Sequence, residues 1–262
     1  MAQVCETIYP SEYADSIQYC VTDASCHNTC DGSIVVTVFG SNQPYYFEWN
    51  NSNVAIAGDN SRSNLCASSH IITITDSSGN LVNNTQVNNV EEPTNFSVFE
   101  IVNDPTCYGY LDGSIDLTIG GSVPFSTSPS YLYSWDDGVN TEDRTSLSSG
   151  VYILTITDAN GCTRIDTFNI VDPVEVSVNT IGDTLSCISS CDGQAIVSPI
   201  SGVAPFAFVW DNPIVPSNDT VLNLCYGLST VLVTDANGCF ITDSVFIDNP
   251  DTLMVSSIIV DS

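Results

Sequence analysis

The chain has 262 residues, 31 of them acidic and three basic (Arg62, Arg144 and Arg164), with no lysine, for a net charge of −28. Without Lys/Arg clusters to meet phosphates it is no nucleic-acid or anionic-membrane binder, and a hydrophobic content of 43% excludes an acidic disordered tail. No apolar run approaches the roughly 18–20 residues of a membrane helix, so direct membrane insertion is not expected. Eleven cysteines point to an oxidising compartment, and abundant Ser, Thr and Val with few helix formers point to an all-β fold.

In chain order, Met1 to Pro10 has neither the basic n-region nor the apolar h-region of a secretory signal. Residues 1–12 read as an N-terminal cap or the end of a preceding unit, so either a leader has been removed or the chain is a segment of something larger. From there the chain repeats itself about every 80 residues. The unit over 13–93 opens its first long strand with "CDGSIVVTV" (30–38), continues through "SNQPYYFEW" (41–49) and reaches the hairpin "IITITDSSGN" (71–80). The unit over 94–173 carries "LDGSIDLTI" (111–119), an aromatic strand ending at Trp135, and "ILTITDANGC" (153–162). The unit over 174–250 carries "CDGQAIVSP" (191–199), "VAPFAFVW" (203–210) and "TVLVTDANGC" (230–239). Asp31, Asp112 and Asp192 recur at steps of 81 and 80, and a proline closes each unit at Pro93, Pro173 and Pro250. Residues 251–262 read as the first strand of a further unit or a strand donated to a neighbour, with Thr252–Val260 matching Phe96–Val102.

Within each unit the hydrophobic period is two. In 150–173, Val151 and Ile153 alternate with polar neighbours, Ala159-Asn160-Gly161 makes a hairpin turn in which Asn-Gly supplies positive φ, and a second strand runs over 164–171. The expected fold is therefore all-β: tandem immunoglobulin-like β-sandwich repeats of about 80 residues, each with about seven short strands. Trp49, Trp135 and Trp210 take equivalent positions and are expected in the core of their units. A domain of about 80 residues buries too little surface to be comfortable without a covalent staple.

The three units act as a small internal alignment for the cysteines. Unit three has Cys187, Cys191, Cys225 and Cys239. Unit two keeps Cys107 and Cys162 but has Leu111 and Ser148 where Cys191 and Cys225 stand, whereas unit one has Cys30 and Cys66 there. Positions present or absent together are expected partners, so the expected bonds are Cys30–Cys66, Cys191–Cys225, Cys107–Cys162 and Cys187–Cys239. Cys26 aligns with Cys107 and Cys187, but Asn80 replaces its expected partner. A bond to Cys20 or Cys5 is expected instead, leaving one thiol over. Cys26-His27-Asn28-Thr29-Cys30 has little of a zinc site, because the other units keep the spacing without any His.

These motifs resemble the SprB repeat of Bacteroidota surface proteins. Unit two carries the pattern as Cys107, Asp112-Gly113-Ser114-Ile115, Gly120-Gly121-Ser122-Val123-Pro124-Phe125, Trp135, Gly150-Val151-Tyr152 and Thr157-Asp158-Ala159-Asn160-Gly161-Cys162. The resemblance covers about 13–250. Unit one departs from it at Ser41-Asn42-Gln43, His70 and Asn80, and unit three at Thr230. Such repeats occur in long secreted adhesins, including gliding-motility filaments exported by the type IX system. The resemblance thus implies an extracellular, cell-surface stalk or fibre. Its partners would be neighbouring repeats or copies of the chain, and extracellular polysaccharide or cell surfaces. It also implies O-glycosylation at Asp-Ser/Thr-aliphatic sequences, here at Ser16, Thr184, Thr220, Ser244 and Thr252.

No catalytic residues are expected. There are two histidines, His27 and His70, no lysine, no G-x-S-x-G elbow and no Gly-rich phosphate loop. No cofactor is implied, although calcium stays open. Asp31, Asp112 and Asp192, with Asp76, Asp158 and Asp235 beside the hairpins, are either ordinary turn residues or oxygen ligands. The leading expectation is a non-enzymatic, disulfide-stapled rod of an adhesin or filament. Three others accompany it: a carbohydrate-binding module using Tyr45, Tyr46, Tyr131 and Tyr133, a calcium-rigidified spacer, and a strand-exchanging filament subunit.

Overall fold

The computed structural model describes residues 3–9, 16–50, 54–211 and 218–251, without the side chains of 83–88. Ser16 is described, but Thr252 and the expected strand Thr252–Val260 lie outside these residues. Among the described residues every regular element is a β-strand. The chain gathers into two compact units. The first holds Met1–Glu100, Leu117–Glu142 and Ile153–Thr167, and the second holds Ile101–Asp116, Asp143–Tyr152 and Phe168–Ser262.

The first repeat contributes β1 (Val4–Ile8), β2 (Ser16–Thr22), β3 (Gly32–Phe39), β4 (Tyr46–Trp49), β5 (Ile56–Ala57), β6 (Ser61–Leu65), β7 (Ser68–Thr75) and β8 (Leu81–Val90). They form two antiparallel sheets of order β1-β2-β3-β6 and β5-β4-β7-β8. Leaving β1 aside, this is the A-B-E against C-F-G arrangement of an immunoglobulin-like sandwich, with β5 added beside the C strand. Period-two patterning selects the buried face. Ile34 and Val36 of β3, Phe47 and Trp49 of β4, and Ile72 and Ile74 of β7 all point into one core, where Ile17 and Tyr19 of β2 join them. Each such side chain removed from water is worth about 1.5–3 kcal/mol.

The middle repeat supplies β9 (Ser97–Asn103), β10 (Gly113–Gly120), β11 (Leu132–Trp135), β12 (Arg144–Leu147), β13 (Gly150–Thr157) and β14 (Thr163–Ile170). Their sheets have the order β12-β10-β9 and β11-β13-β14. The third repeat supplies β15 (Ser177–Gly182), β16 (Gly193–Ser201), β17 (Ala207–Trp210), β18 (Thr220–Leu224), β19 (Gly227–Thr234) and β20 (Phe240–Ile247), ordered β15-β16-β18 and β17-β19-β20. Its core gathers Ala195, Val197, Trp210, Val221, Leu224, Val231, Val233 and Ile247. The chain is therefore a set of tandem immunoglobulin-like β-sandwiches. The first repeat has seven strands besides β1, whereas the other two show six each among the described residues.

Two recurrent sequence features are explained by packing. Trp49, Trp135 and Trp210 are buried, and each indole N–H donates to a carbonyl further along, of Asp59 (2.9 Å), Thr141 (2.9 Å) and Asn218 (3.0 Å). The ring fills the core while its one polar atom stays paired. The glycine of each Asp-Gly pair opens β3, β10 or β16. A Cβ there would lie 3.0, 2.9 and 3.0 Å from the carbonyl oxygens of Leu65, Leu147 and Leu224 respectively. Gly32, Gly113 and Gly193 are thus required by close backbone approach, with a register irregularity beside each, and not by turn conformation.

Candidate functional site

Two turns recur in every repeat and carry most of the distinctive residues. The first joins the opening two strands of a sandwich. In it the amides of Thr29, Tyr110 and Ser190 donate to the carbonyls of Cys26, Cys107 and Cys187 at 3.2, 3.0 and 3.1 Å. The residue before each donor adopts positive φ: Asn28 at 59°, Gly109 at 73° and Ser189 at 66°. Asp31, Asp112 and Asp192 brace the turn by accepting from the amides of Ser25, Thr106 and Ser186 at 2.8, 3.0 and 3.2 Å, and from the hydroxyls of the same residues. These bonds favour the charged carboxylate. The Ser25 hydroxyl holds Asp31 below its ordinary value, and the Thr106 hydroxyl does so for Asp112. The hydroxyls of Ser186 and Ser190 bring Asp192 down to about 2.

The second turn joins the last two strands. Asp76, Asp158 and Asp235 are buried. One carboxylate oxygen of each accepts from the amides two and four residues on: Ser78 and Asn80, Asn160 and Cys162, Asn237 and Cys239, all at 2.8–3.0 Å. The other oxygen of Asp158 takes the Val123 amide (3.1 Å), and that of Asp235 the Val203 amide (3.1 Å). Gly79, Gly161 and Gly238 have φ of 80°, 84° and 86°, and Asn160 is not in the left-handed region. The expected Asn-Gly turn is therefore corrected: Gly161 alone supplies positive φ, closing a type I turn with a left-handed residue after it. The carboxylates considered for calcium are engaged in these two turns. Among the described residues no three His, Cys, Asp or Glu side chains gather as a metal site.

The disulfides differ from expectation. Cys30 is bonded to Cys66 and Cys191 to Cys225. Cys5 pairs with Cys20, its cross-strand neighbour in the β1–β2 ladder. Cys26, however, is bonded to Cys162 with Cα atoms 5.7 Å apart, and Cys107 to Cys239 at 5.5 Å. Cys187 is an exposed free thiol. The expected bonds Cys107–Cys162 and Cys187–Cys239, and Cys20 or Cys5 as a partner for Cys26, are thereby overturned.

The reason is which end of the sandwich each turn occupies. In the third repeat the Ala236 amide donates to the Val203 carbonyl (2.8 Å), so the hairpin turn sits beyond the C-terminal end of β16. Cys187 precedes the N-terminal end of that strand. Its nine residues, at about 3.3 Å each, separate the two positions by about 30 Å, whereas a disulfide tolerates at most about 7 Å between Cα atoms. The first turn of one repeat instead meets the hairpin turn of the next. Around Cys26–Cys162 the Asn160 side-chain amide donates to the Ser25 carbonyl at 2.9 Å, and the Cys162 sulfur lies 3.3 Å from the same oxygen. Around Cys107–Cys239 the Cys239 sulfur lies 3.3 Å from the Thr106 carbonyl, and Val176 packs against both half-cystines.

The aromatic candidates for sugar binding are mostly interior. Tyr45, Tyr131 and Tyr133 are buried with the tryptophans, and Tyr46 is half-buried, so no exposed aromatic face is formed by them. Of the glycosylation candidates, Thr184 and Ser244 are exposed and Ser16 and Thr220 half-buried.

The strand order defines a protein built of tandem immunoglobulin-like sandwiches. Residues 19–54 and 100–140 match the family described as SprB repeat. No curated protein matches it. Among solved structures, Dpr2 Ig1-Ig2 in complex with DIP-Theta Ig1-Ig3 is similar at 9% identity and TM-score 0.27, over 94% of this chain and 100% of that one. Domains 1–6 of the surface layer protein SbsC are similar at 10% identity and TM-score 0.29, over 88% and 40%. The FN1-FN3 domains of chicken CNTN1 are similar at 10% identity and TM-score 0.24, over 87% and 98%. The SprB-repeat matches and the five disulfides fit an extracellular structural repeat. Among the described residues no helix is long and apolar enough to cross a membrane.

Proposed function

We propose that this chain is a non-enzymatic segment of a cell-surface adhesin or filament, a stalk that bears tension between a cell and what the cell adheres to or moves over. Its repeats are the sandwiches at 13–93, 94–173 and 174–250, and their partners are further repeats of the same kind. The observation that carries this reading is the pair of bonds Cys26–Cys162 and Cys107–Cys239, each tying the first turn of one repeat to the hairpin turn of the next. A bond placed there keeps consecutive domains joined when one of them opens. The recurrent carboxylates support the same reading, because turn bracing occupies their oxygens. Gold-labelled antibody raised against the chain should decorate intact, unpermeabilised cells of the source organism. Label seen only after permeabilisation would overturn the proposal.

A further inference from the structure

The two bonds between repeats follow one rule, and the third repeat meets half of it. Cys26 and Cys107 sit at the start of the same turn and are bonded to the cysteine that ends the hairpin turn of the next repeat. Cys187 starts the equivalent turn of the third repeat, and its thiol is free and exposed. The surroundings are also alike. Ser189 has the left-handed φ of Asn28 and Gly109, the Ser190 amide closes the turn on the Cys187 carbonyl, and Asp192 holds the Ser186 amide and hydroxyl as Asp31 and Asp112 hold theirs. The Cys187 turn therefore already has the conformation that its two counterparts adopt when bonded.

We propose that Cys187 is a docking cysteine for a further immunoglobulin-like repeat whose hairpin turn ends in cysteine, in the pattern Asp-x-x-Gly-Cys. The partner is not another copy of this chain. The first repeat's hairpin turn, Asp76-Ser77-Ser78-Gly79-Asn80, ends in asparagine, and Cys162 and Cys239 are already bonded. The free turn and the missing turn cysteine give the array a direction, because the third repeat accepts a successor through this bond whereas the first repeat cannot be accepted by a predecessor in the same way. This deepens the stalk reading and rests on it for its biological setting. Bond formation needs a two-electron oxidant, here a small disulfide such as oxidised glutathione. The Cys187 thiolate attacks one of its sulfurs and expels one reduced thiolate. The partner's turn thiolate then attacks the Cys187 sulfur of the mixed disulfide and expels the second. The two protons lost by the protein thiols end on the two small thiols.

The test is a chain in which residues 1–250 are followed by a second copy of residues 174–262, so that Pro250 precedes Val174 as Pro173 does in the native sequence. After oxidation with glutathione disulfide, peptide mapping without reduction should join the first Cys187 to the Cys239 of the added copy. One alkylatable thiol per chain should remain, at the added Cys187. Replacing the added Cys239 by Asn, the residue that nature has at Asn80, should raise the free thiols to two. Formation of Cys191–Cys225 within the added copy reports that it has folded. A folded copy with the first Cys187 still alkylatable, or bonded to the second Cys187, overturns the proposal. Should the added copy fail to fold, the Asn80→Cys variant of the full chain decides. It should form oligomers in which Cys187 of one molecule is bonded to the thiol introduced at position 80 of the next. These oligomers should be absent from Asn80→Cys/Cys187→Ser, and an Asn80→Cys chain that stays monomeric under oxidation overturns the proposal. Either failure leaves the surface-labelling result untouched, so the bond and the stalk reading fall separately.

Discussion

Asp192 shows how one exposed side chain fixes a turn. Its carboxylate accepts from the Ser186 amide and from the hydroxyls of Ser186 and Ser190, and these bonds bring it down to about 2. In the unfolded chain an Asp titrates near about 3.9. The folded value is the lower one, so the stabilisation is fully present above about pH 4 and is lost as the pH falls through about 2. Thermal melts should show the third repeat of Asp192→Asn melting below the native one at pH 7, with the gap closing as the pH approaches 2. A gap independent of pH would remove the carboxylate from this role. Sequence alone leaves Asp31, Asp112 and Asp192 open between turn and calcium, and in the structure their carboxylates accept from the hydroxyls of Ser25, Thr106 and Ser186. Their spacing of six residues before the Asp is visible in the sequence. The contact itself is not legible there, because it depends on a left-handed residue at Asn28, Gly109 or Ser189, and the serine gives no sign of that conformation.

At the scale of strands and turns, the period-two patterning and the Trp positions lead directly to the sandwich, since alternation in β3, β7, β13 and β19 selects one face for burial. Cysteine pairing is only half legible. Positions that come and go together, such as Cys191 and Cys225, lie in two loops at one end of a sandwich and are bonded. Cys187 and Cys239 are also shared by register, yet the length of a whole strand separates them, and register does not say which end of the sandwich a turn occupies. The bond within a repeat encloses a separation of 34 residues. In the chain-entropy model its loss costs about 3–4 kcal/mol. Calorimetry of Cys191→Ser/Cys225→Ser should therefore show the third repeat's transition lowered by about that amount, with the first repeat unchanged. The middle repeat, with Leu111 and Ser148 at these positions, shows that the sandwich forms without this staple. The variant should therefore still fold.

The covalent connectivity of the whole chain sets how far it can be drawn out. Without disulfides the end-to-end path follows all 262 residues. With them the shortest path crosses from Cys5 to Cys20, from Cys26 to Cys162 and from Cys191 to Cys225, which bypasses separations of 15, 136 and 34 residues. At about 3.5 Å per residue the roughly 76 steps that remain stop the oxidised chain at about 270 Å even when every sandwich has opened, whereas the reduced chain reaches about 900 Å. A second route, through Cys30–Cys66 and Cys107–Cys239, is nearly as short, at roughly 78 steps of about 3.5 Å. The two bonds between repeats therefore back each other up. Pulling single molecules from their ends should show the limit, and adding a reductant should lengthen the final extension about threefold. Cys26→Ser/Cys162→Ser should extend only about 10 Å further than the native chain, and Cys107→Ser/Cys239→Ser no further at all, since each leaves one route intact. Removing both bonds together leaves only Cys5–Cys20, Cys30–Cys66 and Cys191–Cys225 to shorten the path, so that variant should run out to about 600 Å without reductant. A gain of several hundred ångströms from the loss of either bond alone would show that the other does not hold the repeats together under load.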